Sequence, residues 1–286
     1  MNDLTFRITQ NYDNLTPSAR KIADHLRIHY AEAQYLSISE LATECGVAEA
    51  TIFRFCRSLG FSGYNELRLA MAKASLGDTS QPYAAYTSYG EITAADTVET
   101  MAHRLYTANM EALAGTLART DEAAVLKAGD LLEKAGKVYC FGSGGSQIIA
   151  MEAWSRFLTI SAKFFTIQDG HAQVMAASLL APDDVVLYVS YSGSTREAAD
   201  VLGPARARGA KVLLVTHDAD SPATGLADVV LLCGGHEGPL QAGSIAAKMA
   251  LLFVVDLLVN EYCRRNKQAT MRNKDLTTSA LACRHL

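Results

Sequence analysis

Two hydrophobic rhythms divide this chain. Over roughly the first 76 residues the apolar positions recur at helical spacing, whereas from 137 to 233 short apolar runs alternate with helical stretches. Thr16-Pro17 is a helix start, with the cap oxygen on Thr16 and proline at the first helical position. Ser37 and Glu40 form a capping box ahead of a second helix that Gly46 ends, and a third opens near Ala48 and runs to Gly60 with Ile52, Phe55 and Leu59 as its inner stripe. Helical spacing returns at Met101, Leu105, Met110, Leu113 and Leu117, with Asp121 placed to cap a further helix. Five apolar runs, 138–141, 163–167, 185–190, 211–216 and 229–233, read as strands. Near-continuous apolar strands separated by helices predict a parallel sheet covered on both faces. Residues 243–265 read as one long helix. The stretch 77–91 has no Leu, Ile or Val and reads as a linker, while 267–286 is polar and partly basic and reads as a loosely ordered tail.

Composition narrows the class. A length of 286 residues fits about two domains, and a 49% hydrophobic content is ample for packed cores. A net charge of −4 argues against coating nucleic acid by bulk charge and leaves room for a local basic face. The six cysteines, at 45, 56, 140, 233, 263 and 283, form no C-x-x-C pair, which predicts reduced thiols and no metal site. The N-terminus lacks a secretory pattern, and no apolar stretch approaches the roughly 20 residues of a membrane span. A cytoplasmic protein without cofactor and without a membrane partner is the expectation.

Helix, glycine turn and helix over 37–60 is a helix-turn-helix arrangement, whose second helix lies in the major groove. Glu49, Ala50, Thr51 and Arg54 stand at its groove-facing end, and Arg57 and Arg68 suit backbone phosphates. The competing reading is a small helical packing domain, because residues 1–76 hold eight Lys and Arg against eight Asp and Glu. Between 51 and 73 the balance tips, with Arg54, Arg57, Arg68 and Lys73 opposed by Glu66 alone.

In the second half, strand three runs into SYSGST, where Ser190, Ser192, Ser194 and Thr195 surround Gly193 ahead of a helix. Hydroxyls, a glycine that admits close approach and the amides of a helix start make an anion cradle. Strand one ends in GSGGSQ, with Gly142, Ser143, Gly144 and Ser146. If strands one and three are neighbours, both loops open on the crevice at a topological switch point. A nucleotide P-loop lacks its lysine. A dinucleotide fingerprint keeps Gly142, Gly144 and a ribose partner in Asp169, but has Gln147 where its third glycine belongs. Two ordinary tight turns are the remaining alternative.

LTPSARKIADHL followed by LSISELATECGVAEATIFRFCRSLGFSGYNELR resembles the N-terminal domain of RpiR-type bacterial transcription regulators, most specifically in RFCRSLGFSGY. Those regulators join this domain to a sugar isomerase (SIS) domain, which residues 130–260 resemble. The resemblance implies an all-α helix-turn-helix domain over 1–76, a linker over 77–94, and a three-layer α/β/α SIS domain with its preceding helices over 95–266. The tail follows at 267–286. The SIS sheet would have five parallel strands in the order 2-1-3-4-5. It further implies a phosphosugar site in which Ser190, Ser192, Gly193, Ser194 and Thr195 hold the phosphate. Gly142, Ser143, Gly144 and Ser146 would line the sugar side, with Glu237 near the sugar. Apart from the resemblance, Gln147, His171 and Glu237, with a neighbouring subunit, are the expected discriminating contacts. One departure is Ala48, where the family usually has serine. SIS domains also occur in aldose-ketose isomerases, for which His171 and the pair His236-Glu237 are the acid-base candidates here. Attachment to a DNA reader favours a sensor: a regulator of sugar metabolism, homodimeric or homotetrameric, whose operator affinity a sugar phosphate controls.

Overall fold

Helix α1 (Asp3–Asn11) leads into α2 (Pro17–Ile28), which starts where expected: Thr16 Oγ1 accepts the Ala19 N–H at 3.3 Å and Pro17 opens the first turn. This geometry comes from a computed structural model, in which residues 3–75, 96–235, 237 and 243–282 are described. The proposed linker lies outside the described residues. The chain divides into two units, Met1–Thr107 with His236–Ser244, and Ala108–Gly235 with Ile245–Leu286.

In the first unit a short α3 (Tyr30–Ala33) precedes α4 (Ile38–Cys45). The capping box of α4 is complete: Ser37 Oγ accepts the Glu40 N–H at 3.2 Å and Glu40 Oε2 accepts the Ser37 N–H at 2.7 Å. Gly46, with φ +60°, ends it in the left-handed region that glycine enters without steric cost. Helix α5 (Glu49–Ser58) follows, then α6 (Tyr64–Ser75). Ile22, Leu26, Leu41, Ile52, Phe55, Leu67 and Met71 are fully buried and form one core. The thiols of Cys45 and Cys56 lie in it, and burial pushes their pKa values up to about 11 and about 12, so both stay protonated and inert.

Helix α7 (Val98–Ala118) leads to α8 (Glu122–Lys134), capped by Asp121, whose carboxylate accepts the Ala123 N–H at 2.9 Å. Strands β1 (Val138–Gly142), β2 (Phe164–Thr166), β3 (Val185–Val189), β4 (Lys211–Thr216) and β5 (Val229–Leu232) form a wholly parallel sheet in the order 2-1-3-4-5. Between them run α9 (Gly144–Leu158), α10 (Gly170–Ala177) and α11 (Arg196–Ala207). Strand β3 is buried at every position, which is why it reads as an unbroken apolar run. Its Val186 and Tyr188 pack with Phe141, Val212 and Leu214 against Ala177, Ala198, Val201, Leu202 and Ala205 of α10 and α11. The opposite face is covered by α8, α9 and α12 (Ile245–Arg265), where Phe157 and Phe164 stack at 4.1 Å and Tyr262 meets both edge-on. The five apolar runs, the long helix and the layer order are as the sequence predicts.

The tail differs from its expectation. Lys267–Ala282 is a helix, α13, and Asn273 Nδ2 donates to Ile160 O at 2.7 Å while Thr277 Oγ1 donates to Thr159 O at 3.1 Å. Polar composition signals little burial, but here polar side chains themselves dock the helix on the carbonyls at the end of α9. No helix among the described residues is long and apolar enough to cross a membrane.

Candidate functional site

The loop after β3 is tied down along its carbonyl side. Tyr191 O accepts the His217 N–H at 2.8 Å and the Thr216 hydroxyl at 3.1 Å, Gly193 O accepts the Ala223 N–H at 3.0 Å, and Ser190 N donates to Val215 O at 3.0 Å. Gly193 turns the chain at φ +58°, and a Cβ there would lie 2.0 Å from Ser221 Oγ, so glycine is required twice over. The four hydroxyls divide by role. Ser190 is buried, and its Oγ accepts the Gly193 N–H at 3.2 Å inside the turn. Thr195 caps α11, accepting the Ala198 N–H at 3.4 Å. Ser192 and Ser194 are exposed and bonded to each other, with Ser194 Oγ donating to Ser192 O at 3.0 Å. The first-turn amides of α11 have no intrahelical acceptor by their position, and they carry the positive end of the helix.

The loop after β1 meets this one directly. Register pairs Gly142 with Val189, and a Cβ on Gly142 would lie 2.9 Å from Val189 O. Gly144, with φ +53°, lets the chain turn at once into α9, whose Ser146 Oγ accepts the Tyr191 N–H at 3.4 Å. Ser143 takes the N-cap position of α9 without a side-chain cap bond. Gln173 is buried and donates through Nε2 to Gly142 O at 3.0 Å, Gln147 Oε1 at 2.8 Å and Ile167 O at 2.8 Å. Asp169 caps α10, its Oδ1 accepting the Ala172 N–H at 2.8 Å, which engages the residue a dinucleotide site would use for ribose.

Gly142, Ser143, Gly144, Gln147, His171 and Gln173 share a cavity of ≈ 430 Å³ with Glu197 and Asp200 of α11. From the second loop's side this cavity takes the helix rather than the serine hydroxyls. Burial pushes the Tyr188 phenol, beneath it in β3, up to about 12, so it stays neutral. Among the described residues no group of three or more His, Cys, Asp or Glu is arranged to hold a metal ion.

Sequence reasoning missed the support at the other end of the serine loop. The Tyr191 ring stacks on His217, its hydroxyl donates to Gly235 O at 2.9 Å, and Arg119 Nη1 donates to Cys233 O at 2.8 Å with His217 Nδ1 at 3.1 Å. No spacing rule joins 119, 191, 217 and 233; only the sheet order does.

In the first unit α5 exposes Glu49, Ala50, Arg54 and Arg57, with Thr51 half-buried and 3.3 Å from Arg54 Nη2. Phe53 on the same face is 47% exposed, a residue the stripe analysis passed over. Ala48 is the N-cap and supplies no side-chain bond, as its identity predicts. Arg68 does not point to solvent as expected of a phosphate contact: its Nε donates to Gln34 O at 2.9 Å and its Nη2 to Glu237 O at 3.2 Å. The Glu237 carboxylate accepts the Ser244 N–H at 2.6 Å, so this candidate sugar contact is held by partners in the first unit. His236 lies outside the described residues.

Comparison with known proteins agrees with this two-part architecture. Residues 2–76 match the helix-turn-helix domain of the rpiR family and residues 131–261 match the SIS domain. A helix-turn-helix transcriptional regulator of Haemophilus influenzae is 31% identical over 275 residues, covering 96% of this chain and 95% of that protein. A second, from Caldanaerobacter subterraneus, is 29% identical over 286 residues, covering 100% of this chain and 99% of that protein. The Vibrio vulnificus NanR protein, solved in complex with ManNAc-6P, superposes with a TM-score of 0.84 at 26% identity over 99% of both chains. The chain belongs to the rpiR family of helix-turn-helix transcriptional regulators that carry a SIS domain.

Proposed function

We propose that this regulator binds operator DNA through α5 and that a phosphorylated sugar, held between the loops after β1 and β3, sets its operator affinity. The observation that carries the reading is the direct junction of two glycine and hydroxyl loops on neighbouring strands, with Ser146 Oγ 3.4 Å from Tyr191 N. That junction stands at the carboxyl ends of β1 and β3, where the connections leave the sheet in opposite directions. Ser192 and Ser194, with Thr195 and the amides opening α11, face an anion there, and Ser190 holds the turn. Gly142, Ser143, Gly144 and Ser146 flank the sugar. Similarity to a regulator solved with ManNAc-6P supports a phosphosugar as the ligand class. Glu237 as a further ligand contact rests on the family resemblance alone.

On DNA, Glu49, Ala50, Thr51 and Arg54 address base edges and Arg57 a phosphate. A helix-turn-helix protein reads paired half-sites, so the working species is a homodimer or homotetramer, in the cytoplasm with the operator. The domain limits that fit are 1–76, 95–266 and a helical tail from 267, joined by the linker at 77–94.

The ligand is sensed rather than converted. Of the acid-base candidates, the Glu237 carboxylate is engaged by the Ser244 amide, His236 lies outside the described residues, and attachment to a DNA reader favours sensing over the paired base and ring-opening acid that isomerisation needs. A hundredfold change in operator affinity requires about 2.7 kcal/mol of coupling between sugar phosphate and DNA. The deciding experiment is operator footprinting with sugar phosphates added, in parallel with an assay for aldose-ketose conversion. A shifted footprint without turnover, lost in Ser192→Ala while basal operator binding persists, supports the proposal; steady conversion of the sugar reverses it.

A further inference from the structure

We infer that the effector is a phosphorylated neutral sugar, a polyol or amide-bearing sugar, and not the phosphate of a sugar acid. The inference rests on the phosphosugar reading above and concerns the end of the ligand away from the phosphate. The ≈ 430 Å³ cavity shares Gly142, Ser143 and Gly144 with the proposed site and reaches Glu197 and Asp200 of α11. Among the described residues neither lysine nor arginine lines it, and the lining includes two carboxylates and the carboxamides of Gln147, Gln168 and Gln173.

Two of those carboxamides, Gln147 and Gln173, are bonded to each other and to the loop, which leaves the carboxylates of Glu197 and Asp200 as the polar groups of the wall that set its charge. Gln173 Nε2 is shared among Gly142 O, Gln147 Oε1 and Ile167 O, and Gln147 Nε2 is turned to Thr166 Oγ1 at 3.5 Å and Ile167 O at 3.4 Å. Gln173 is only 2% exposed, so this arrangement is fixed by packing. Ionised, Glu197 and Asp200 can only accept, so this wall asks its ligand for donors. Sugar hydroxyls and amide N–H groups bring them; a carboxylate brings acceptors alone. It also brings a negative charge beside Glu197 and Asp200, two exposed like charges that repel it. The nearest cation on the same helix, Arg196, reaches Asp200 at 3.9 Å with its side chain 91% exposed, so water screens it. His171 is the one lining residue able to carry a positive charge.

The test is calorimetric titration of the full-length protein with matched pairs: glucose 6-phosphate, ribose 5-phosphate and N-acetylmannosamine 6-phosphate, each against the acid formed by oxidising its C1. The best neutral ligand should bind at least about 30-fold tighter than its own acid. The double substitution Glu197→Gln with Asp200→Asn should shrink that gap below about fivefold, chiefly by improving the acid. An acid that binds as well as its neutral partner, or a gap the double substitution leaves unchanged, overturns the inference while the phosphosugar reading stands. Failure of all six to bind would overturn that reading, and this inference with it.

Discussion

The ring of Tyr191 lies flat against the imidazole of His217, centroids 4.9 Å apart and planes 7° from parallel. Tyr191 belongs to the serine loop after β3 and His217 to the end of β4, so the stack fastens the proposed phosphate loop to its neighbouring strand. Behind it, His217 Nδ1 lies 3.1 Å from both Arg119 Nη1 and Cys233 O, so the ring is held by the arginine and by the carbonyl after β5. Tyr191→Phe keeps the stack and loses the bond to Gly235 O, a cost of about 1 kcal/mol. Tyr191→Leu loses both and should weaken sugar phosphate binding about tenfold. Calorimetric titration of the two variants checks the order; equal affinities would mean the stack does not shape the loop.

Gly193 admits no side chain. Alanine there meets φ +58°, worth about 1–2 kcal/mol, and a Cβ 2.0 Å from Ser221 Oγ. Gly193→Ala should therefore lower the melting temperature and abolish the ligand response. Adding Ser221→Gly removes the collision and leaves the backbone strain, so the double variant should recover part of the stability. By contrast Ser221→Ala alone should be neutral or stabilising by up to about 1 kcal/mol, because the buried Ser221 hydroxyl has no hydrogen-bond partner among the described residues. Thermal melts of the three variants rank these outcomes.

Local signals were legible in the sequence and long-range ones were not. The Ser37 and Glu40 capping box, the Thr16-Pro17 start, the Gly46 stop and the five strands each depend on residues within a few positions of one another, and each is where the pattern puts it. The strand order came from the family resemblance, since apolar runs carry no information about their neighbours. What escaped was set by that order: Arg119 beneath His217, Gln173 beneath Gly142, and the division of the serines into an inward Ser190 and outward Ser192 and Ser194. Arg68 and the tail misled for one reason. A charged or polar residue was read as solvated, whereas Arg68 and Asn273 each find a backbone carbonyl to serve.

Helix α5 starts without a cap oxygen because Ala48 stands at its N-cap. Ala48→Ser should add a bond to a first-turn amide and about 0.5–1 kcal/mol of stability. The same hydroxyl would steady the end of the helix proposed to enter the groove, so operator affinity should rise about threefold to fivefold. Thermal melting and DNA titration at one fixed salt concentration check both effects. A gain in melting temperature with unchanged DNA affinity would confine the role of this position to folding.

Glu261 gives the second unit a defined acid sensitivity. The Arg264 guanidinium, bonded to it at 2.7 Å and 2.9 Å, and then Arg265 at 2.5 Å hold its carboxyl below the usual carboxylate range. Arg265 also pairs with Asp130 and donates to Leu126 O at 3.0 Å, which joins α12 to α8. A folded-state pKa below the unfolded value means that the stabilisation is complete above the ordinary carboxylate range and fades as pH falls through the depressed value. Glu261→Gln should therefore lower the melting temperature at pH 7 by about 3 °C. As pH falls from the ordinary carboxylate range through the depressed value, the native chain should lose more than the variant does, until their melting temperatures converge. Parallel melting curves across that range would place the acid sensitivity at other carboxylates.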